Sequence, residues 1–320
     1  MAALRTYFVN LLLRSFVKRR LAACRTPLEA RKVFDSASSS TPTGVRLTPA
    51  TLGGVAGEWA EPENTAADAT LLYLHGGGYI GMSPRTHRAI TCAFALRGFR
   101  VFAADYRLAP EHQFPAALDD AAAVWRALRA QVEGPIFLAG DSAGGGLCVA
   151  LLLNARDHGE KTPAAACLFS PWTDLAGTGA SLKTNRRRDP MLVADGMQSV
   201  AAAYAGAADP RTPLISPIYG DLAGLPPLLI FVGDSEILLD DARRLAERAR
   251  AAGVVVDLRV HPDVPHAWPF LNAILPEGRQ ALDEAAAFLF AAGGAPPPGS
   301  TPPPVGAGDS KETASQMGQG

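Results

Sequence analysis

Short runs of consecutive apolar residues recur along the chain, separated by stretches with helical spacing. Leu71–Leu74, Arg100–Ala104, Pro135–Ala139, Ala165–Phe169, Leu228–Val232 and Val254–Val260 are such runs. Continuous apolar runs, unlike alternating ones, suit strands covered on both faces. Between them, Ser83-Pro84 reads as a helix cap followed by proline at the first helical position. Pro115 opens a helical run through Ala130. Asp240-Asp241 opens another, whose acidic start suits the helix dipole and which Gly253 closes. A last helix is expected from about Glu277 to Ala291. Val45–Leu47 and Val55–Trp59 have the pattern of an antiparallel hairpin at a sheet edge. Strand–helix alternation implies right-handed crossovers, so the expected class is α/β, a mostly parallel central sheet flanked by helices.

One stretch breaks this rhythm. From Asp174 to Ser216 there is no strand pattern, only loop signals and a helix near Ala194–Ala205. An insertion where the strands end would form a lid (about 175–215) together with the N-terminal segment (about 1–40), gating ligand access.

The N-terminal segment itself reads Tyr7 to Val17 as apolar, followed by Lys18-Arg19-Arg20. It is too short and too interrupted to span a bilayer. A secretory signal carries its charges before the apolar core, and here they follow it. Leu21-Ala22-Ala23-Cys24 mimics a lipoprotein box, but basic residues stand where its apolar stretch belongs. The expected element is an amphipathic helix covering part of the fold, and its basic, apolar character leaves room for weak peripheral membrane contact. At the other end, residues 294–320 are rich in Pro, Gly and Ser and nearly free of apolar side chains, so a disordered tail is expected after a single domain over 1–293.

Composition narrows the partners. The chain has 320 residues, enough for one large α/β domain, and is 48% hydrophobic. Its net charge of −1 gives no case for nucleic acid. Cys24, Cys92, Cys148 and Cys167 show no C-x-x-C spacing and sit in apolar runs, which fits a reducing, cytoplasmic setting.

Chemistry concentrates in four places. Gly140-Asp141-Ser142-Ala143-Gly144 lies between an expected strand and an expected helix, where G-x-S-x-G forms a sharp turn presenting the serine hydroxyl. His75-Gly76-Gly77-Gly78 follows an earlier strand, and its bare backbone N–H groups can face a developing oxyanion. The N–H of Ala143 would add a third donor. Of the six histidines, only His261 and His266 follow the last strand. His266 sits in a loop from which it can reach the serine as base, whereas His261 is expected to be structural or exposed. His75 is expected to brace the glycine loop, and His87, His112 and His158 to be helix-surface or loop residues. The orienting acid should follow the strand ending at Val232, which leaves Asp234 and Glu236.

These motifs resemble the hormone-sensitive-lipase-like family of α/β-hydrolase esterases, its bacterial members in particular. The resemblance covers roughly residues 45–292. It includes His75-Gly76-Gly77-Gly78-Tyr79, the string from Asp105 to His112 continuing through Phe114 to Ala117, Gly140 to Gly145, and Ser170-Pro171-Trp172-Thr173-Asp174. The family carries its acid three residues after the glycine ending the strand, which selects Glu236 over Asp234, although Asp is usual there. It likewise implies Gly77 and Gly78 as oxyanion donors, and Arg107 and Glu111 as ion-paired packing elements. The implied activity is a serine carboxylesterase for small, short-acyl esters, with catalytic Ser142, Glu236 and His266 and no metal or cofactor. Relatives imply lactone hydrolase or N-acetyl hydrolase as the alternative, and a non-catalytic ligand-binding member as a remote one. Family analogy also implies a homodimer through the edge strand at Val254–Val260.

Overall fold

The computed structural model describes residues 4–36, 42–63, 67 and 69–294. The expected tail, apart from Gly294, lies outside them. The chain opens with α1 (Leu4–Leu12), a π-helical segment over Leu13–Lys18, α2 (Arg19–Ala23) and α3 (Pro27–Phe34). Next come β1 (Val45–Leu52), β2 (Val55–Pro62), β3 (Ala69–Leu74), α4 (Arg88–Ala95), β4 (Phe99–Ala104), α5 (Ala116–Gln131), β5 (Ile136–Asp141), α6 (Ser142–Asp157) and β6 (Ala166–Phe169). The remainder is α7 (Ser181–Thr184), α8 (Ala194–Ala205), β7 (Leu228–Gly233), α9 (Leu239–Ala251), β8 (Val256–His261) and α10 (Pro276–Ala292).

The strands form one sheet in the order β1-β2-β4-β3-β5-β6-β7-β8. The first two pairings, β1 with β2 and β2 with β4, are antiparallel, and the rest are parallel. Period-two alternation sends successive residues to opposite faces. Leu72, Leu138, Leu168 and Ile230 join one core under α5, α6 and α9. Leu71, Phe137, Cys167 and Leu229 join the other, closed by α4 and α10. Both faces are therefore dry, which is why these strands read as unbroken apolar runs.

Strand order places the site. From β3 the chain steps one way to β4, then returns to put β5 on the other side of β3. The loops leaving β3 and β5 therefore diverge, opening a crevice at the carboxyl ends of these two strands.

Two expectations need correction. The helix assigned to Ser83-Pro84 begins only at Arg88, because Ser83 to His87 close into turns with Thr86 N–H on the Ser83 carbonyl and His87 N–H on that of Pro84. Val254 and Val255 precede β8 rather than opening it. Gly253, at φ +83°, turns the chain out of α9, and Val254 N–H returns to the Ala249 carbonyl. The N-terminal helix does lie on the fold, but its largest apolar side chains, among them Phe8, Leu12 and Phe16, face outward.

Candidate active site

β5 ends at Asp141 and α6 begins at Ser142, with no loop between. Ser142 takes φ +52°, in the left-handed region that costs a residue with a Cβ. The surroundings enforce it. The Ser142 carbonyl accepts the Trp172 N–H at 2.9 Å. A Cβ on Gly144 would run into the carbonyls of Leu74 and His75, and one on Gly140 would meet the Leu74 carbonyl and Cys148 Sγ. Both glycines are thus required by the close approach of the turn to β3.

The glycine loop leaves β3 alongside. Gly77 and Gly78 have φ +114° and +65°, and the Gly77 carbonyl turns away to accept the N–H groups of Ile80 and Gly81. Among the described residues no backbone carbonyl outside helices and strands accepts the N–H of Gly77 or Gly78. Ala143 is in the first turn of α6, where N–H groups have no carbonyl a turn earlier to serve.

Asp141 ties loop and elbow together. Its Oδ1 accepts the Tyr73 hydroxyl at 2.7 Å and the Gly76 N–H at 3.0 Å, and His87 Nε2 lies 3.2 Å away. Burial alone would raise this carboxyl, but the neighbouring His87 and the Tyr73 hydrogen bond hold it below the usual carboxylate range. His87, expected at a surface, is fully buried. It sits at the entrance to α4, where the preceding turns direct its ring inward. His75 does brace the loop, with Nδ1 2.7 Å from the Gly76 carbonyl and its ring stacked 4.2 Å from Tyr106. Burial first, then the neighbouring His87, push its pKa down to about 3, so the ring is neutral. Arg107 pairs with Asp120 at 2.7 Å and Glu111 with Arg31 at 2.6 Å. His112 and His158 are exposed, and His261 is half-buried.

The loop after β8 carries His266, and the turn after β7 carries Glu236. His266 Nδ1 lies 2.7 Å from Glu236 Oε2. Glu236 is fully buried, and its other oxygen accepts Ser170 Oγ at 2.7 Å and Gly233 N–H at 2.6 Å. Burial lowers the basicity of His266, but the Glu236 hydrogen bond and charge outweigh it and hold its pKa above the ordinary histidine value. Asp234 points elsewhere, to Arg188 at 3.1 Å and the Asp263 N–H at 2.8 Å. Sequence reasoning assigned no role to Ser170, whose hydroxyl also accepts the Ala267 N–H at 3.1 Å. It missed Asn185 and Asp189 as well. Asn185 Nδ2 donates to the Glu236 carbonyl at 2.8 Å, and Asp189 Oδ2 accepts the Ile237 N–H at 2.9 Å. A local signal existed only for Ser170, in the Ser-Pro-Trp string.

Ser142, His266, Gly77 and Gly78 line one cavity of about 370 Å³. Its roof is apolar and comes from the N-terminal helices and the segment around α8, through Leu13, Val17, Phe34, Leu192, Met197 and Val200. Among the described residues no cluster of three or more His, Cys, Asp and Glu is arranged to hold a metal.

A family model described as alpha/beta hydrolase fold matches residues 71–270. An acetyl-hydrolase of Streptomyces hygroscopicus is 47% identical over 242 residues, covering 75% of this chain and 81% of that protein. A crystal structure of an esterase from the bacterial hormone-sensitive lipase family superposes with a TM-score of 0.84 at 43% identity, over 90% of this chain and 98% of its own. This chain belongs to that family of α/β hydrolases. Other relatives are similar over nearly their whole length. An esterase of Acinetobacter venetianus is 35% identical over 88% of this chain and 95% of its own. The esterase EstE5, in a crystal soaked with p-nitrophenyl butyrate, matches with a TM-score of 0.87 at 38% identity, over 92% of this chain and 100% of its own. The hydrolase sheet, elbow and glycine loop all fall within or beside the region matched by the family model.

Proposed function

We propose that this hydrolase is a serine carboxylesterase acting on small, short-acyl esters. The single observation that carries the reading is the buried His266–Glu236 contact of 2.7 Å, on a histidine that shares its cavity with Ser142. Glu236 fixes the tautomer with the proton on Nδ1, leaving Nε2 to take the Ser142 proton as Oγ attacks the acyl carbon. The N–H groups of Gly77, Gly78 and Ala143 receive the oxyanion. His266 then protonates the departing alcohol, and water attacks the acyl-enzyme by the same route in reverse. The roof formed by the N-terminal helices and residues 175–215 serves as the lid. A cavity of about 370 Å³ is at the small end of ligand sites, which favours short acyl chains.

The Streptomyces protein, 47% identical, is named an acetyl-hydrolase, which favours an acetyl group as the acyl part and leaves an N-acetyl hydrolase with the same triad as a second reading. The test is turnover of p-nitrophenyl acetate, butyrate and decanoate, an ε-lactone and an N-acetyl amino acid by wild type and Ser142→Ala. The expected result is a maximum at acetate or butyrate that Ser142→Ala abolishes. Near wild-type activity in the variant would overturn the assignment.

A further inference from the structure

The helical run from Leu4 to Ala23 is amphipathic in the inverted sense. Four of its polar side chains, Thr6, Asn10, Arg14 and Lys18, reach the body of the protein. Thr6 Oγ1 donates to Glu277 at 3.1 Å, and Asn10 Nδ2 to the Asp263 carbonyl at 2.6 Å. Arg14 donates to the carbonyls of Arg187 and Arg188, and Lys18 Nζ to those of Arg186 at 2.8 Å and Asp189 at 2.6 Å. Its large apolar side chains face away. Leu4, Tyr7, Phe8, Leu11, Leu12 and Phe16 are between 49% and 72% exposed. At spacings of three and four residues they form one continuous stripe along the helix. Holding a surface helix by its polar face while exposing six large apolar side chains is unfavourable in water, so the stripe calls for an occupant.

Charge identifies it. Six basic residues and no acidic one occur from Met1 to Arg25, in a chain whose net charge is −1. Of these, Arg5, Arg19, Arg20 and Arg25 are exposed. The exposed run Arg186-Arg187-Arg188 lies against the same helix, at the carbonyls that Arg14 and Lys18 grip. Asp195 and Asp234 each pair with one arginine of that run, and Asp263 is the exposed carboxylate beside Asn10. A second copy docking stripe to stripe would bring two basic rims together, whereas an anionic lipid surface would meet both the charge and the apolar stripe. The helix is also short of a membrane span, as no described helix is long and apolar enough to cross one.

We propose that the outer face of the Leu4–Ala23 run is a docking surface for an anionic bilayer, on which the helix lies flat. Its inner face supplies Leu13, Val17 and Arg20 to the cavity wall. Docking therefore sets the cavity beside the lipid interface, where apolar esters concentrate. The docking stands apart from the hydrolytic reading, and the test keeps them apart.

Full-length protein carrying Ser142→Ala is mixed with vesicles of phosphatidylcholine alone or of phosphatidylcholine and phosphatidylglycerol in equal parts, and binding is measured by co-sedimentation. Binding to the anionic vesicles is expected to exceed that to the neutral ones by about tenfold or more and to weaken in 0.5 M salt. Phe8→Ser with Leu12→Ser should reduce it at least about tenfold, and Arg5→Gln with Arg19→Gln should reduce it on anionic vesicles alone. Both substituted pairs are exposed, so circular dichroism should match the parent. Introduced without Ser142→Ala, they should leave turnover of a soluble ester unchanged. Absence of binding to anionic vesicles, equal binding to both compositions, or binding undiminished by Phe8→Ser with Leu12→Ser would each overturn the proposal. So would a larger mass by light scattering that the same pair abolishes in the absence of lipid, which would assign the stripe to a second copy.

Discussion

Ser170 donates to Glu236 across 2.7 Å, while its own oxygen accepts the N–H of Ala267, the residue after His266. One hydroxyl thus fixes both the Glu236 carboxylate and the loop that carries His266. Ser170 itself takes φ +47°, held there by the N–H it donates to the Phe231 carbonyl at 2.7 Å.

Ser170 is therefore a positioning residue. Ser170→Ala should lower kcat about tenfold, the loss of a buried hydrogen bond to a charged group, while KM stays within about twofold. Ser170→Thr keeps the hydroxyl and should recover part of the loss if the cavity admits the methyl. Steady-state kinetics on p-nitrophenyl butyrate decide it, and a change confined to KM would contradict the role.

The His266–Glu236 contact sets the pH response. The imidazole must be neutral to accept the serine proton, so activity is lost as pH falls through its pKa. Because Glu236 holds that pKa above 6.5, the acid limb of kcat/KM is expected above pH 6.5. Glu236→Gln removes the carboxylate charge, so the limb should move to lower pH while the rate drops roughly 10³- to 10⁴-fold. Glu236→Asp keeps the charge but withdraws it by one methylene, at a cost of about 100-fold. An acid limb in the same place for wild type and Glu236→Gln would detach Glu236 from the base.

A second buried carboxyl responds to pH through stability. Asp241 Oδ1 accepts the N–H groups of Thr173 and Asp174, but among the described residues its Oδ2 has no partner. Burial first, then the neighbouring Asp174, raise its pKa from 3.8 to about 8. The folded protein therefore binds this proton more tightly than the unfolded chain. The stabilisation is complete below about pH 4 and is lost as pH rises toward about 8. Asp241→Asn keeps an acceptor for the two N–H groups and removes the ionisation. Its Tm relative to wild type should rise from pH 5 to pH 9, by the equivalent of about 2–4 kcal/mol. A Tm difference independent of pH would exclude ionisation as the cause.

The central strands β3 to β7 were legible because they are dry on both faces, so each announced itself as an apolar run without reference to the others. Ser142 and the glycines were legible because a turn this tight excludes side chains, and that constraint is local. The acid was harder. Asp234 and Glu236 both follow β7, and what separates them is a contact with His266, thirty residues along the chain. His87 was misread for the same reason. Its burial comes from Asp141, fifty-four positions away, with nothing in the Thr86-His87-Arg88 neighbourhood to signal it. The outward direction of the N-terminal stripe was not legible, because periodicity reveals that a helix has two faces without saying which one meets the protein.

The grip of Asn185 and Asp189 on the backbone around Glu236 has an engineering consequence. The segment between β6 and β7 is the natural target for altering acyl-chain preference, since it roofs the cavity. It is also a clamp on the loop of the proposed acid, Glu236, and through Lys18 on the Asp189 carbonyl it is joined to the N-terminal helix. Lid exchange between relatives should therefore be treated as a transplant of three coupled parts. A chimera that imports a new roof without an asparagine and an aspartate at these two positions would change specificity and loosen the acid's loop in the same step.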